Sequence, residues 1–159
     1  KVVKTSLERT LDIGSTFYGD KWKETIKSAY SPETSQEERL RIPDIDAPTR
    51  IALLWGASNS GDSEGFKTLS KRYASTTDFG TIASIACSPL CSSAILHEIG
   101  TGIAKENGYG YILRIVGRNN NTGEETLKQI AEDPKLDKRY TEVAKTSLEH
   151  GTKKANNLM

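Results

Sequence analysis

Residues 78–118 read DFGTIASIACSPLCSSAILHEIGTGIAKENGYGYILRIVGR, and the fold class turns on this stretch. It holds the densest apolar run, both cysteines, one of the two histidines and few charges, so it reads as buried. Asp78 is placed to accept a hydrogen bond from a free N–H in the first turn of a helix. Ile82, Ala83, Ile85 and Ala86 follow at spacings that suit a helix face, and a buried strand fits so short a run nearly as well. Pro89 must break that helix and is suited to open the next one. Leu90, Ala94, Ile95, Ile99 and Ile103 then share a helical face. Gly100 and Gly102 each cost that helix about 1 kcal/mol relative to Ala, and imply a close-packed neighbour. Gly108 is placed to close the helix in the left-handed conformation. Residues 109–116, with Tyr111, Ile112, Leu113, Ile115 and Val116 in a short run, form the best strand candidate in the chain.

Outward from this stretch the chain reads as helices. Val3, Leu7 and Leu11 recur every four residues, which predicts an opening helix over 1–12. Residues 14–19 read as a turn. Asp20 is expected to cap a helix carrying Trp22, Ile26 and Tyr30 on one side. A short charged helix follows over 36–41, then an extended link over 42–46 held by Pro43 and Pro48. Asp46-Ala47-Pro48 is a helix start, with a capping carboxylate and a proline in the first turn. Phe66, Leu69 and Tyr73 mark a further helix. Thr122 or Asn121 is expected to cap a helix over 124–132, and Leu136, Tyr140, Val143 and Leu148 define a long amphipathic helix ending at Gly151. Residues 152–159 are polar and basic before they close on Leu158-Met159.

A chain of 159 residues is large enough for a real core. Valine occurs only at positions 2, 3, 116 and 143, whereas parallel sheets are rich in it. The expected fold is therefore mostly α, a single compact domain over 1–159 with at most a small sheet. Segment 1–46 is a candidate arm. The alternative is a three-layer α/β sandwich with strands near 50–56, 80–87 and 109–117. No apolar run is long enough to span a membrane. Two cysteines make no disulfide framework, so Cys87 and Cys91 read as free thiols in a reducing, intracellular compartment. The chain opens at Lys1 without Met, as a processed piece would.

No catalytic spacing stands out. Cys91 and His97 are six apart, which puts them on different faces of one helix. With Cys87 they match no common zinc pattern. His150 suits the C-terminal end of a helix. The Gly/Ser-rich residues 56–65 resemble the phosphate loop of flavodoxin-like proteins. That resemblance implies a strand over 50–55, a phosphate at a helix N-terminus and a nucleotide- or flavin-type ligand, or a transferase activity. The predicted order of elements around Cys87-Ser88-Pro89 and Asn107-Gly108-Tyr109 also resembles the cofactor segment of acyl-CoA N-acetyltransferases. Residues 90–94, however, carry none of that family's pyrophosphate turn.

The net charge of +1 supplies no global field, so any attraction for nucleic acid must be local. Three basic groups qualify: Lys67, Lys71 and Arg72; Arg114 and Arg118; and Lys135, Lys138 and Arg139. Tyr73, Tyr111 and Tyr140 lie near them in sequence and are candidate base-stacking rings. The expectation is a non-enzymatic binding and assembly protein of nucleocapsid, coat or adaptor type. It needs no cofactor, and its expected partners are RNA or another nucleic acid and further copies of itself.

Overall fold

Gly19 splits what would otherwise be one long helix. In the computed structural model, which describes residues 5–151, α1 (Ser6–Tyr18) starts at Thr5. The Thr5 hydroxyl accepts from the Glu8 N–H at 3.2 Å, and the Glu8 carboxylate accepts from the Thr5 N–H at 3.0 Å. This reciprocal pair satisfies two N–H groups that the helix leaves open. Gly19 then takes φ +87°, a conformation that disfavours any other residue, and α2 (Asp20–Tyr30) begins at once. The expected turn over 14–19 is therefore helix as far as Tyr18. Gly14 is a flat spot in it: a Cβ there would lie 2.4 Å from a Trp22 ring carbon. Asp20 is the first helical residue rather than the cap. Val3 and the rest of 1–4, like the tail 152–159, lie outside the described residues.

The chain divides into two compact units, one ending at Leu69 and one starting at Ser70. In the first, α2 packs on α1 and on α4 (Ala47–Asn59). The α4 start follows the sequence signal: Asp46 accepts from the Thr49 N–H at 2.7 Å, with a proline in the first turn. Ile26, Ala29, Leu53, Leu54 and Ala57 are buried. A short α3 (Gln36–Arg41) sends Arg39 into this interior, where it is 1% exposed. Its guanidinium donates to the Ala29, Ser31 and Thr34 carbonyls at 3.2, 3.0 and 3.0 Å, and pairs with Asp62 at 3.5 Å. Gly56 makes room for this arrangement, since a Cβ there would stand 2.0 Å from the Ala29 carbonyl oxygen. The start of α5 (Ser63–Arg72) contributes buried Phe66 and Leu69.

In the second unit, Asp78 caps α6 (Phe79–Ala86) as expected, accepting from the Thr81 N–H at 2.8 Å. The next helix starts four residues beyond Pro89, because Ser92 caps it: α7 (Ser93–Glu98) runs into a π-helical turn at Ile99–Ile103 and closes with α8 (Ala104–Glu106). The widened turn rotates the apolar face. The buried residues are Leu96, Ile99, Gly100 and Ala104, not the straight row that α-helical spacing predicts. Gly100 sits where a Cβ would approach Val116 and Ile130 side chains to 3.1 and 3.2 Å, while Gly102 faces open space. Gly108 closes the helix at φ +68°.

The strand expected over 109–116 is a helix, α9 (Gly110–Arg118). Its buried residues, Ile112, Leu113 and Val116, recur at helical rather than alternating intervals. Packing of this one buried face overrides the β-propensity of its residues. α9 packs against α6, α10 (Glu124–Ala131) and α11 (Lys138–His150). Gly110 lies against the Tyr140 ring, and Gly117 against Val143. All three strands of the α/β alternative fall in helices, α4, α6 and α9, and every regular element among the described residues is helical. The fold is mostly α, without the small sheet.

The asparagine-rich residues 119–121 form a loop tied to the preceding elements, with Asn119 buried and Asn120 and Asn121 exposed. The Asn119 amide donates to the Ala86 and Ser88 carbonyls at 2.8 and 2.9 Å. The Asn121 amide donates to those of Pro89 and Cys91 at 2.7 and 2.9 Å, and the Thr122 hydroxyl to Val116. These side chains are therefore engaged elsewhere, and Gly123 takes the N-cap position of α10.

Candidate nucleic-acid interface

α9 buries one face and leaves the other outward. Tyr111, Arg114 and Arg118 lie three and four residues apart on that outer side, so their side chains are neighbours. Tyr111 is 49% exposed and the arginines are half-buried. Phe79, the first residue of α6, reaches the same place at 42% exposure. Its ring centroid is 6.3 Å from that of Tyr111, with the planes 31° apart. Tyr109 meets Phe79 edge-on at 5.3 Å and is anchored by its hydroxyl, which donates to the Thr77 carbonyl at 2.6 Å.

The two arginines stand side by side. Arg118 donates from Nε to the Arg114 carbonyl at 3.2 Å, and the Arg114 Nε is buried without a hydrogen-bond partner. Among the described residues no carboxylate forms an ion pair with either. Burial lowers the Arg118 pKa, Tyr111 beside it acts in the opposite sense, and the like charge of Arg114 lowers it further. Two adjacent cations on one helix are unfavourable by a few tenths of a kcal/mol unless an anion joins them.

The other basic groups fare differently. Lys67, Lys71 and Arg72 are exposed on α5. Lys135 and Lys138 are exposed at the entry to α11. Arg139 already pairs with Asp137, at 3.0 and 3.3 Å, and lies over the Tyr140 ring at 5.6 Å. That hydrogen-bonded pairing raises the Arg139 pKa and lowers that of Asp137. No hydrogen bond, ion pair or ring contact among the described residues joins Lys135, Lys138 or Arg139 to Arg114 or Arg118. Of the expected stacking tyrosines, Tyr73 is buried at 5% exposure and Tyr140 is half-buried with its ring against Gly110, so Tyr111 is the most open of the three. Phe79 was not singled out by its sequence context, where it reads as an ordinary first-turn residue after a cap.

The other candidates of the sequence are accounted for structurally. The His97 Nδ1 lies 2.7 Å from the Thr126 hydroxyl. Cys87 and Cys91 are free; Cys91 is fully buried, and burial pushes its thiol up to about 12. His150 occupies the last turn of α11 beside Glu149. Residues 56–65 form a helix–helix turn with no preceding strand. The Asp62 carboxylate accepts from the Gly65 N–H at 2.9 Å and holds Arg39 and Gln36, so the α5 N-terminus is taken by an internal anion. A phosphate there would meet that carboxylate. No helix among the described residues is long and apolar enough to cross a membrane. Comparison of the chain with protein-family models, curated proteins and solved structures returns no match.

Proposed function

We propose that this chain is a non-enzymatic binding and assembly domain, of the kind found in nucleocapsid, coat or adaptor proteins, and that nucleic acid is its partner. The observation that carries the reading is the pairing of Arg114 with Arg118. Both are held on one helix face, beside an exposed tyrosine, with no carboxylate among the described residues to neutralise them. A phosphate backbone supplies the missing charge, and arginine is suited to it because its fork of donors matches phosphate oxygens. Self-association is supported by a separate feature. Ile13 and Phe17 lie four apart on α1 and are 65% and 79% exposed, so they present an apolar stripe on the first unit.

The test is the salt dependence of binding to RNA. Replacing both Arg114 and Arg118 by alanine is expected to weaken binding. It is also expected to flatten log K against log salt by about 0.7 to 0.9 for each phosphate no longer neutralised. The same change at Arg139 is expected to have little effect, since Asp137 already neutralises it. Absence of binding at low salt ends the nucleic-acid reading. A protein that stays monomeric at high concentration in sedimentation equilibrium ends the assembly reading.

A further inference from the structure

We infer that the Phe79–Tyr111 pair is a base-stacking platform, so that the polymer bound at this site is single-stranded RNA or DNA and not a duplex. The inference rests on the nucleic-acid reading of Arg114 and Arg118 and deepens it. Phe79 and Tyr111 are large rings left about half open, at 42% and 49% exposure, on the same patch as these two arginines. Their centroids are 6.3 Å apart and their planes within 31° of parallel, so they present neighbouring surfaces of similar direction. Phe79 is buttressed by Tyr109, whose hydroxyl is tied to Thr77. That support lowers the entropy lost when a base settles on Phe79, because the ring is already held.

The register along α9 fits a strand crossing the patch. Tyr111 to Arg118 spans seven residues, or about 10 Å at 1.5 Å per residue. A base on Tyr111 therefore leaves its own and the following phosphate within the reach of Arg114 and Arg118. In a duplex the base faces are covered by neighbouring pairs, and a protruding ring cannot lie on them without unstacking the helix. In a single strand the faces are open, and stacking is tolerant of sequence because every base has one. An apolar protein partner would cover the rings equally well, but it would leave the two adjacent arginine charges buried and uncompensated.

The experiment compares a labelled single-stranded oligouridine with an RNA duplex of matched length, by fluorescence anisotropy across a salt series. The proteins are the full chain and the variants Phe79→Ala, Tyr111→Ala, Tyr111→Phe and Arg114→Ala/Arg118→Ala. Circular dichroism melts establish that each variant is folded. The single strand is expected to bind more tightly than the duplex. Each ring-to-alanine change is expected to weaken single-strand binding about tenfold without altering the salt slope, since the same phosphates stay neutralised. Tyr111→Phe, which keeps the ring, is expected to bind like the parent. The double arginine variant is expected to lose affinity and slope together. If single strand and duplex bind alike, or the ring variants bind like the parent, the stacking platform is overturned while the arginine site stands. If neither polymer binds at low salt, both fall.

Discussion

Replacing Arg39 by methionine should be among the most damaging single changes in the first unit. The side chain is 1% exposed and places five partners around one guanidinium: the carbonyls of Ala29, Ser31 and Thr34, the Ser60 hydroxyl and the Asp62 carboxylate. Methionine fills much of the same volume and restores none of these bonds. Hydrogen bonds to a charged group contribute about 1.5–3 kcal/mol each, so a simple sum over three carbonyls would reach roughly 5–9 kcal/mol. That sum overstates the loss, because burying the guanidinium itself costs several kcal/mol, which the variant recovers. Breaking a buried ion pair from one side typically costs about 3–5 kcal/mol, and that range is the expectation here. Against a total stability of about 5–15 kcal/mol it is a large fraction. At about 2 kcal/mol per molar of urea it lowers the midpoint by roughly 2 M. Arg39→Lys should suffer nearly as much, since a point charge cannot reach carbonyls from Ala29, Ser31 and Thr34 together. The assay is urea unfolding followed by circular dichroism, with the slope checked against the parent. A loss below about 1 kcal/mol for both variants would refute the reasoning, by showing that water or a shifted backbone satisfies the carbonyls without the guanidinium.

Two further outcomes follow from the second unit. Asn119→Ala removes the two hydrogen bonds that hold the Ala86 and Ser88 carbonyls at a site 9% exposed. A loss of about 2–3 kcal/mol in the same melts is expected, and a change within about 0.5 kcal/mol would show that the clamp adds nothing. Asp133 bonds to Lys105 and accepts from the Lys135 N–H, in that order of effect, and both hold its pKa below the usual 3.8. A depressed carboxylate contributes stability that is complete above its unfolded pKa and lost as pH falls through the folded one. Asp133→Asn should therefore reduce stability at neutral pH and weaken its decline between about pH 4 and pH 2. Parallel acid titrations of the two proteins would count against the pairing.

The local signals were legible in the chain itself. Asp46 and Asp78 cap where their sequence context predicts, and Gly108 takes the left-handed conformation, because each depends on a few adjacent residues. The scarcity of valine pointed correctly to helices. Residues 109–116 misled because Tyr, Ile, Leu and Val suit a strand as well as a buried helix. What decides is the pair of small residues, Gly110 and Gly117, that admit Tyr140 and Val143 from a helix many residues later. Arg39 lies in QEERLR, which reads as a solvated surface helix, and its burial depends on carbonyls from three other places and on the missing Cβ of Gly56. The candidate site divides the same way. Asp137 stands two residues from Arg139, and Arg114 one helical turn from Arg118, so those pairings are local and lie in the sequence itself. Only the tertiary structure brings Phe79 of α6 beside Tyr111 of α9, because a contact between rings on different helices depends on how the helices pack and not on spacing along the chain.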